Sequence, residues 1–310
     1  HDRVLIGNLL DETVARRLSA LTTPCLPCRY DEGRSAMHGR LNGQVAVVTG
    51  AGTGIGAGIA RRFAREGARV VVAERNTETG TRTVAEVEAL GAEALFVATD
   101  VTVRDQAVGC IEAAVGHYGG VDILVNNAWG GGRIGRIESK TDELLQHGLD
   151  VAYYAAFWTM TAALPHMRER GGGSIINVCS LNGVNAHMYT LEYNAGKEAL
   201  RTLTRTAAVE WGPHQIRCNV ICPAARSDAF LAFAAANPEQ AAHAEANNVM
   251  GRMGDPEEDI GGVALFLASD DARYVNGNTI FADGGGHVNG VSWRPNLPEE
   301  PPADERSAGG

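Results

Sequence analysis

From Gly43 onward the chain repeats one pattern: a short, wholly apolar run, a glycine-rich or polar turn, then a longer stretch with helical spacing of its apolar positions. The runs Val45–Thr49, Arg69–Ala73, Ala94–Ala98, Val121–Val125, Ser174–Val178, Arg217–Ile221 and Asn278–Ala282 predict seven strands. Helices are predicted over Ile55–Glu66, Thr79–Leu90 and Arg104–Tyr118, with a long helical stretch before the fifth strand. Strands that are apolar throughout have to be covered on both faces. The pattern therefore predicts an α/β fold with a doubly wound, seven-stranded parallel sheet of Rossmann type. Ligands of such sheets sit beyond the carboxyl ends of the strands, so the residues that follow each strand are the candidates for chemistry.

The two flanks break the pattern. Residues 1–40 predict a strand at Arg3–Ile6 and a helix at Glu12–Leu21, followed by a Cys/Pro/Gly/Ser-rich stretch. Residues 287–310 end in PNLPEEPPADERSAGG, a composition that predicts partial disorder. The expected organisation is one domain over 41–286 with an N-terminal extension (1–40) and a C-terminal extension (287–310), without internal repeats. The segment His287–Trp293 and the N-terminal residues are candidates for arms laid across a neighbouring subunit.

Composition narrows the function classes. The chain has 310 residues, 45% hydrophobic and 21% charged, as in an ordinary globular enzyme. Its formal net charge is −10 with no Lys/Arg-rich run, which argues against nucleic-acid binding. No apolar run approaches the roughly 20 residues that span a bilayer, so no membrane association is expected. The first residues lack the layout of a signal peptide, and a cytoplasmic location is expected. The six cysteines (Cys25, Cys28, Cys110, Cys179, Cys218 and Cys222) form no disulfide-like framework. Cys25 and Cys28 are a lone CxxC without a second pair or nearby histidines, so reduced thiols and no metal site are expected.

Thr49-Gly-Ala-Gly-Thr-Gly-Ile-Gly56 follows the first strand and opens the first helix. A pyrophosphate needs bare N–H groups at a helix N-terminus, and Gly50, Gly54 and Gly56, with Thr53 and Ile55, would supply that approach. Taken alone the run is a glycine-rich turn; its strand–turn–helix context favours dinucleotide binding. Glu74 ends the second strand, about 20 residues on, where a carboxylate binds the ribose hydroxyls of NAD and repels the 2′-phosphate of NADP. It is otherwise an exposed residue at a helix start. Arg75 follows and could receive that phosphate, but Thr53 supplies no second cation, so NAD is expected over NADP. Asp100 and Val101 close the third strand, and Asn126, Asn127 and Ala128 close the fourth, where adenine and ribose would rest. Asp100 and the asparagines also suit plain turns.

Tyr193 and Lys197 stand at i and i+4 at the start of a predicted helix and share a face. A free tyrosine titrates near pH 10, and a neighbouring ammonium together with the positive nicotinamide of an oxidised cofactor would favour its phenolate. Ser180 follows the fifth strand, where its hydroxyl can hold a substrate oxygen. Tyr-x-x-x-Lys alone is also an ordinary surface pair.

Together, TGAGTGIG, Asn126-Asn127-Ala128, Ser180 ahead of Tyr193-x-x-x-Lys197, the RCNVICP strand and Asp283-Gly284-Gly285 resemble the short-chain dehydrogenase/reductase family over about residues 41–286. The resemblance implies a single Rossmann-type domain, hydride transfer between NAD(P) and an alcohol or carbonyl, and a homodimer or homotetramer. It implies Tyr193 as acid/base, Lys197 as the group that lowers the tyrosine pKa and binds the nicotinamide ribose, Ser180 as the orienting residue, and Pro223 beside the nicotinamide. The chain departs from the family in three places. Trp129 replaces the glycine of Asn-Asn-Ala-Gly, Ala224 replaces the glycine after the strand-six proline, and Ala152 stands where an asparagine usually holds a relay water.

The expected substrate side comprises Trp129, Asn182, His187, Tyr189 and Phe230. Phe230, Leu231, Phe233 and Met250 form either an apolar lid or packing between two short helices. Arg133 and Arg136 either meet an anionic substrate or face solvent. The expected function is NAD(H)-dependent interconversion of a secondary alcohol and a ketone on a bulky, mostly apolar small molecule such as a steroid, terpenoid or polyketide. The alternative is an NAD-binding protein of this fold with impaired catalysis, acting as a sensor or scaffold.

Overall fold

The computed structural model describes residues 39–288. The expectations for Arg3–Ile6, Glu12–Leu21, Cys25, Cys28 and the Pro/Glu-rich tail lie outside the described residues.

Seven strands form one sheet in the order β3-β2-β1-β4-β5-β6-β7, with every neighbouring pair parallel. They are β1 (Val45–Thr49), β2 (Arg69–Glu74), β3 (Ala94–Ala98), β4 (Ile123–Asn126), β5 (Gly173–Val178), β6 (Ile216–Pro223) and β7 (Thr279–Ala282). Alternate residues of one strand enter two different cores. Ala46 and Val48 of β1 and Val70 and Val72 of β2 pack with Ile59, Phe63 and Leu265 on one face. Val45, Val47, Val71 and Ala73 pack with Ile111, Met160 and Leu200 on the other. Both faces are thus dry, which is why these strands read as continuous apolar runs.

The first face is covered by α1 (Gly54–Arg65), by Thr77–Ala89 through Val87 and, at the far end of the chain, by Gly261–Ala268. After α1 come α2 (Thr77–Ala89) and α3 (Arg104–Tyr118). The α2 helix starts two residues earlier than the periodicity predicts, because the Asn76 side chain accepts the Thr79 N–H and caps it. The long helical stretch before β5 divides into α4 (Asp142–Leu149), one π-turn over Asp150–Tyr154, and α5 (Ala155–Glu169). A short α6 (Leu181–Val184), the long α7 (Leu191–Trp211), α8 (Asp228–Ala236), α9 (Pro238–Asn247) and α10 (Gly261–Ala268) complete the order. Among the described residues no helix is long and apolar enough to cross a membrane.

The centre of the sheet is held at its carboxyl end by a buried polar chain. Asn126 at the end of β4 donates Nδ2–H to Asn177 Oδ1 (2.9 Å) and accepts from the Thr159 hydroxyl (2.7 Å), while Asn177 donates to the Thr204 hydroxyl (2.8 Å). This ties β4, β5, α5 and α7 together with each of these amide groups paired, as burial requires. Thr159→Val keeps the shape but orphans the Asn126 carbonyl oxygen. It should cost about 1–3 kcal/mol in chemical denaturation, and an unchanged midpoint would show that Asn126 is satisfied otherwise.

Candidate active site

The glycine turn is built from its neighbours. Gly50 has φ +63, and a Cβ there would lie 2.7 Å from the Ala128 backbone, so only glycine fits between β1 and the chain leaving β4. Asn127 clamps the turn: its Nδ2 donates to the carbonyls of Thr49 (3.0 Å) and Gly50 (3.1 Å), and its N–H donates to the Thr49 hydroxyl (3.0 Å). Within Asn126-Asn127-Ala128, Asn127 is thus the residue whose side chain shapes the turn. The pairing of β1 with β4 puts this amide side chain after β4 beside the turn after β1.

Thr53 caps α1 without a side-chain hydrogen bond, and the first turn carries no acidic residue. The N–H groups of that turn therefore suit an anion. Glu74 Oε2 accepts the Gly52 N–H (3.1 Å) and Oε1 accepts the Asn76 N–H (2.9 Å), which holds the carboxylate against the turn. A groove beyond the strand ends is lined by Gly50, Glu74, Arg75, Asp100, Val101, Ala128 and Trp129, together with His147 and Val151. Asp100 Oδ1 accepts the Thr102 hydroxyl (2.7 Å) and N–H (3.0 Å), and these hold its carboxyl below the usual range. It is thus a turn-former and a groove residue at once. Arg75 is mostly exposed, 3.9 Å from Asp100. Thr53 and Gly54 line a separate depression with Arg82, Arg226 and Asp228. Ile55 packs partly against the core and Gly56 is buried. Pro223 pairs with Ala282 at the end of β6. Asn126 is tied through both ends of its amide into the buried chain described above.

Ser180, Tyr193 and Lys197 converge. Ser180 is buried at the N-cap of α6, accepting the Asn182 N–H (3.1 Å). Lys197, one turn along α7 from Tyr193, is 2% exposed and donates Nζ–H to the Val178 carbonyl (2.7 Å). Its ammonium lies 5.5 Å from the Trp129 ring centroid and 5.8 Å from that of Tyr193, and the two rings meet edge to face at 4.6 Å. Burial pushes the Tyr193 phenol above its ordinary value, against the opposing hydrogen bond from Ser180. Without a cofactor, burial is thus the largest influence on the phenol. Burial also pushes Lys197 below its ordinary value. The neighbouring thiols Cys179 and Cys222 are pushed up by burial to about 12, which makes them poor nucleophiles.

Trp129 is the substrate-side residue brought against the catalytic set. Asn182, His187, Tyr189 and Phe230 do not line the groove that holds Trp129. His187 Nδ1 meets the Thr190 hydroxyl at 3.1 Å, and Phe230 lies near Phe233 with ring centroids 6.5 Å apart. Leu231, Phe233 and Met250 remain exposed on and beyond the two short helices. Ala152 is buried in the π-turn and borders a small cavity of about 10 Å³ with Lys197, Asn126 and Ala155. That is close to the least space one water requires. Among the described residues no group of His, Cys, Asp and Glu side chains is arranged to hold a metal ion.

The family model described as Enoyl-(Acyl carrier protein) reductase matches residues 50–287. Over 254 residues the chain is 36% identical to the 12alpha-hydroxysteroid dehydrogenase of Clostridium sp., covering 80% of this chain and 98% of that protein. The chain belongs to the short-chain dehydrogenase/reductase family. Among solved structures, carveol dehydrogenase from Mycobacterium avium in complex with NAD is 28% identical with a TM-score of 0.75, covering 81% of this chain and 99% of the other. A 7 alpha-hydroxysteroid dehydrogenase complexed with NADH and 7-oxo glycochenodeoxycholic acid is 33% identical with a TM-score of 0.75, covering 80% and 95%. As a member of this family the chain is an oxidoreductase acting on alcohols or ketones. Its glycine turn, the uncapped N–H groups of the first turn of α1 and the Glu74 carboxylate beside them fit a nicotinamide dinucleotide.

Asn127→Ala removes two bonds that shape the turn. NADH affinity by calorimetry should fall about tenfold or more, since each bond contributes on the order of 1 kcal/mol. Unchanged affinity would show that other contacts set the turn.

Proposed function

We propose that the protein is an NAD(H)-dependent dehydrogenase/reductase that interconverts a secondary alcohol and a ketone on a bulky, mostly apolar small molecule. The observation that carries the reading is the convergence of Ser180, Tyr193 and buried Lys197, with Tyr193 against Trp129, whose groove Glu74 also lines. A nicotinamide dinucleotide held by the glycine turn and Glu74 would supply the hydride chemistry at the substrate carbon. Tyr193 holds the proton at Oη and gives it to the substrate oxygen in reduction, or takes it in oxidation. Ser180 Oγ positions the same oxygen and steadies its charge. Lys197 would hold the ribose side of the nicotinamide, and the positive ring of an oxidised cofactor together with Lys197 would favour the phenolate that burial opposes. The cavity beside Ala152 offers room for a relay water without the family's asparagine.

The carboxylate of Glu74, fixed on the Gly52 N–H, supports NAD over NADP. Arg75 stands beside it but is shared with Asp100. The exposed apolar side chains of Leu231, Phe233, Met188 and Met250 support a large apolar substrate. The similarity to hydroxysteroid dehydrogenases and to carveol dehydrogenase points the same way. Exposed Tyr154 and Phe157 on the π-turn and α5, with Val209 on α7, support a homodimer or homotetramer.

NADH oxidation against a panel of bulky ketones, with Tyr193→Phe as control, tests the mechanism. Turnover should fall by about a hundredfold or more in the variant. NADH binding without turnover by the wild type would instead identify an NAD-binding protein with impaired catalysis. Glu74→Gln keeps an acceptor for Gly52 but removes the charge, and the NADPH/NADH ratio of kcat/KM should rise about tenfold. An unchanged ratio would assign cofactor choice elsewhere.

A further inference from the structure

The most deeply buried ion pair among the described residues takes no part in this chemistry. Lys140 Nζ lies 2.6 Å from Glu192 Oε2, with the two side chains 2% and 1% exposed. Glu192 directly precedes Tyr193. Lys140 also donates to the carbonyls of Arg133 and Tyr189, the latter at 3.1 Å. The other carboxylate oxygen of Glu192 accepts the Arg133 N–H (2.7 Å), and Gly135 N–H donates to Tyr189 O (3.0 Å). One ion pair therefore joins the segment that leaves β4 (residues 129–140), the loop that precedes α7 (residues 185–190) and the first turn of α7.

Neither segment can hold this shape unaided. The first contains Gly130-Gly131-Gly132, which has no intrinsic conformation. The second holds Ala186 at φ +52 and Tyr189 at φ +70, a region that non-glycine residues avoid unless their surroundings impose it. Gly132 lies against the Trp129 indole, and the indole meets Tyr193 edge on. A physical line thus runs from the ion pair through Arg133 and Gly132 to Trp129 and the catalytic phenol. A buried pair adds little net stability, because desolvation offsets the attraction, so its evident effect is to fix one arrangement of the groups it joins.

We propose that Lys140 and Glu192 are positioning residues, a latch that fixes the substrate-side mouth and Trp129 against the catalytic tyrosine. The latch sets substrate selectivity without touching the reacting atoms. The kinetic part rests on the oxidoreductase reading above.

The test uses Glu192→Gln, Lys140→Met and the double variant, which leaves no unpaired buried charge. Amide hydrogen exchange over residues 130–140 and 185–190 should quicken about tenfold or more in all three. KM for the ketone should rise about tenfold or more while KM for NADH stays within about twofold. The double variant should recover thermal stability relative to the singles and keep the raised KM, an outcome a merely structural pair would not give. Wild-type exchange and wild-type KM in the double variant would overturn the latch. If the wild type turns over no carbonyl, the oxidoreductase reading fails and exchange alone decides the latch.

Discussion

A lysine ammonium almost out of contact with water sits at the carboxyl end of the sheet, and the site is arranged around it. No carboxylate pairs with Lys197 among the described residues; what it has is the Val178 carbonyl and the faces of two aromatic rings. Burying a charge with so little compensation is unfavourable, and the depressed pKa of Lys197 records that cost. The unfolded chain binds this proton more readily than the folded one. Through this group, stability is therefore gained as pH rises through the window between the depressed value and the ordinary 10.5. What this costly placement provides is a positive charge one helical turn from Tyr193.

The aromatic wall follows from the same constraint. Trp129 stands where the family's motif ends in glycine, and its indole both faces the ammonium and touches the phenol. A flexible glycine run could not present a ring so consistently, and the Lys140–Glu192 pair supplies the fixity that the run lacks. On the cofactor side the Asn127 clamp does the equivalent work for the glycine turn. Chemistry at the strand ends thus depends on short segments, each pinned by one or two buried polar contacts.

Much of this was legible in the sequence because it is local. Continuous apolar runs gave seven strands, since a sheet covered on both faces leaves no polar alternation. Ser180, Tyr193, Lys197 and Glu74 could be singled out as candidates because each stands at a strand end or shares a helix face. What was missed depends on distant partners. Asn126 is visible at a strand end, but the pairing of its amide with Asn177 and Thr159 is not. Lys140 and Glu192 sit in polar stretches that read as surface, and only the folded chain brings them together in a dry place. The raised pKa of Tyr193 was likewise hidden, because adjacency to lysine is visible in the sequence and burial is not.

The most direct test of the central claim is an absorbance titration of the Tyr193 phenol, taken as wild type minus Tyr193→Phe, with and without saturating NAD. The account expects the phenol to ionise at a clearly lower pH with NAD bound, as the nicotinamide charge joins that of Lys197 against the effect of burial. Ionisation at the same pH in both states would contradict it.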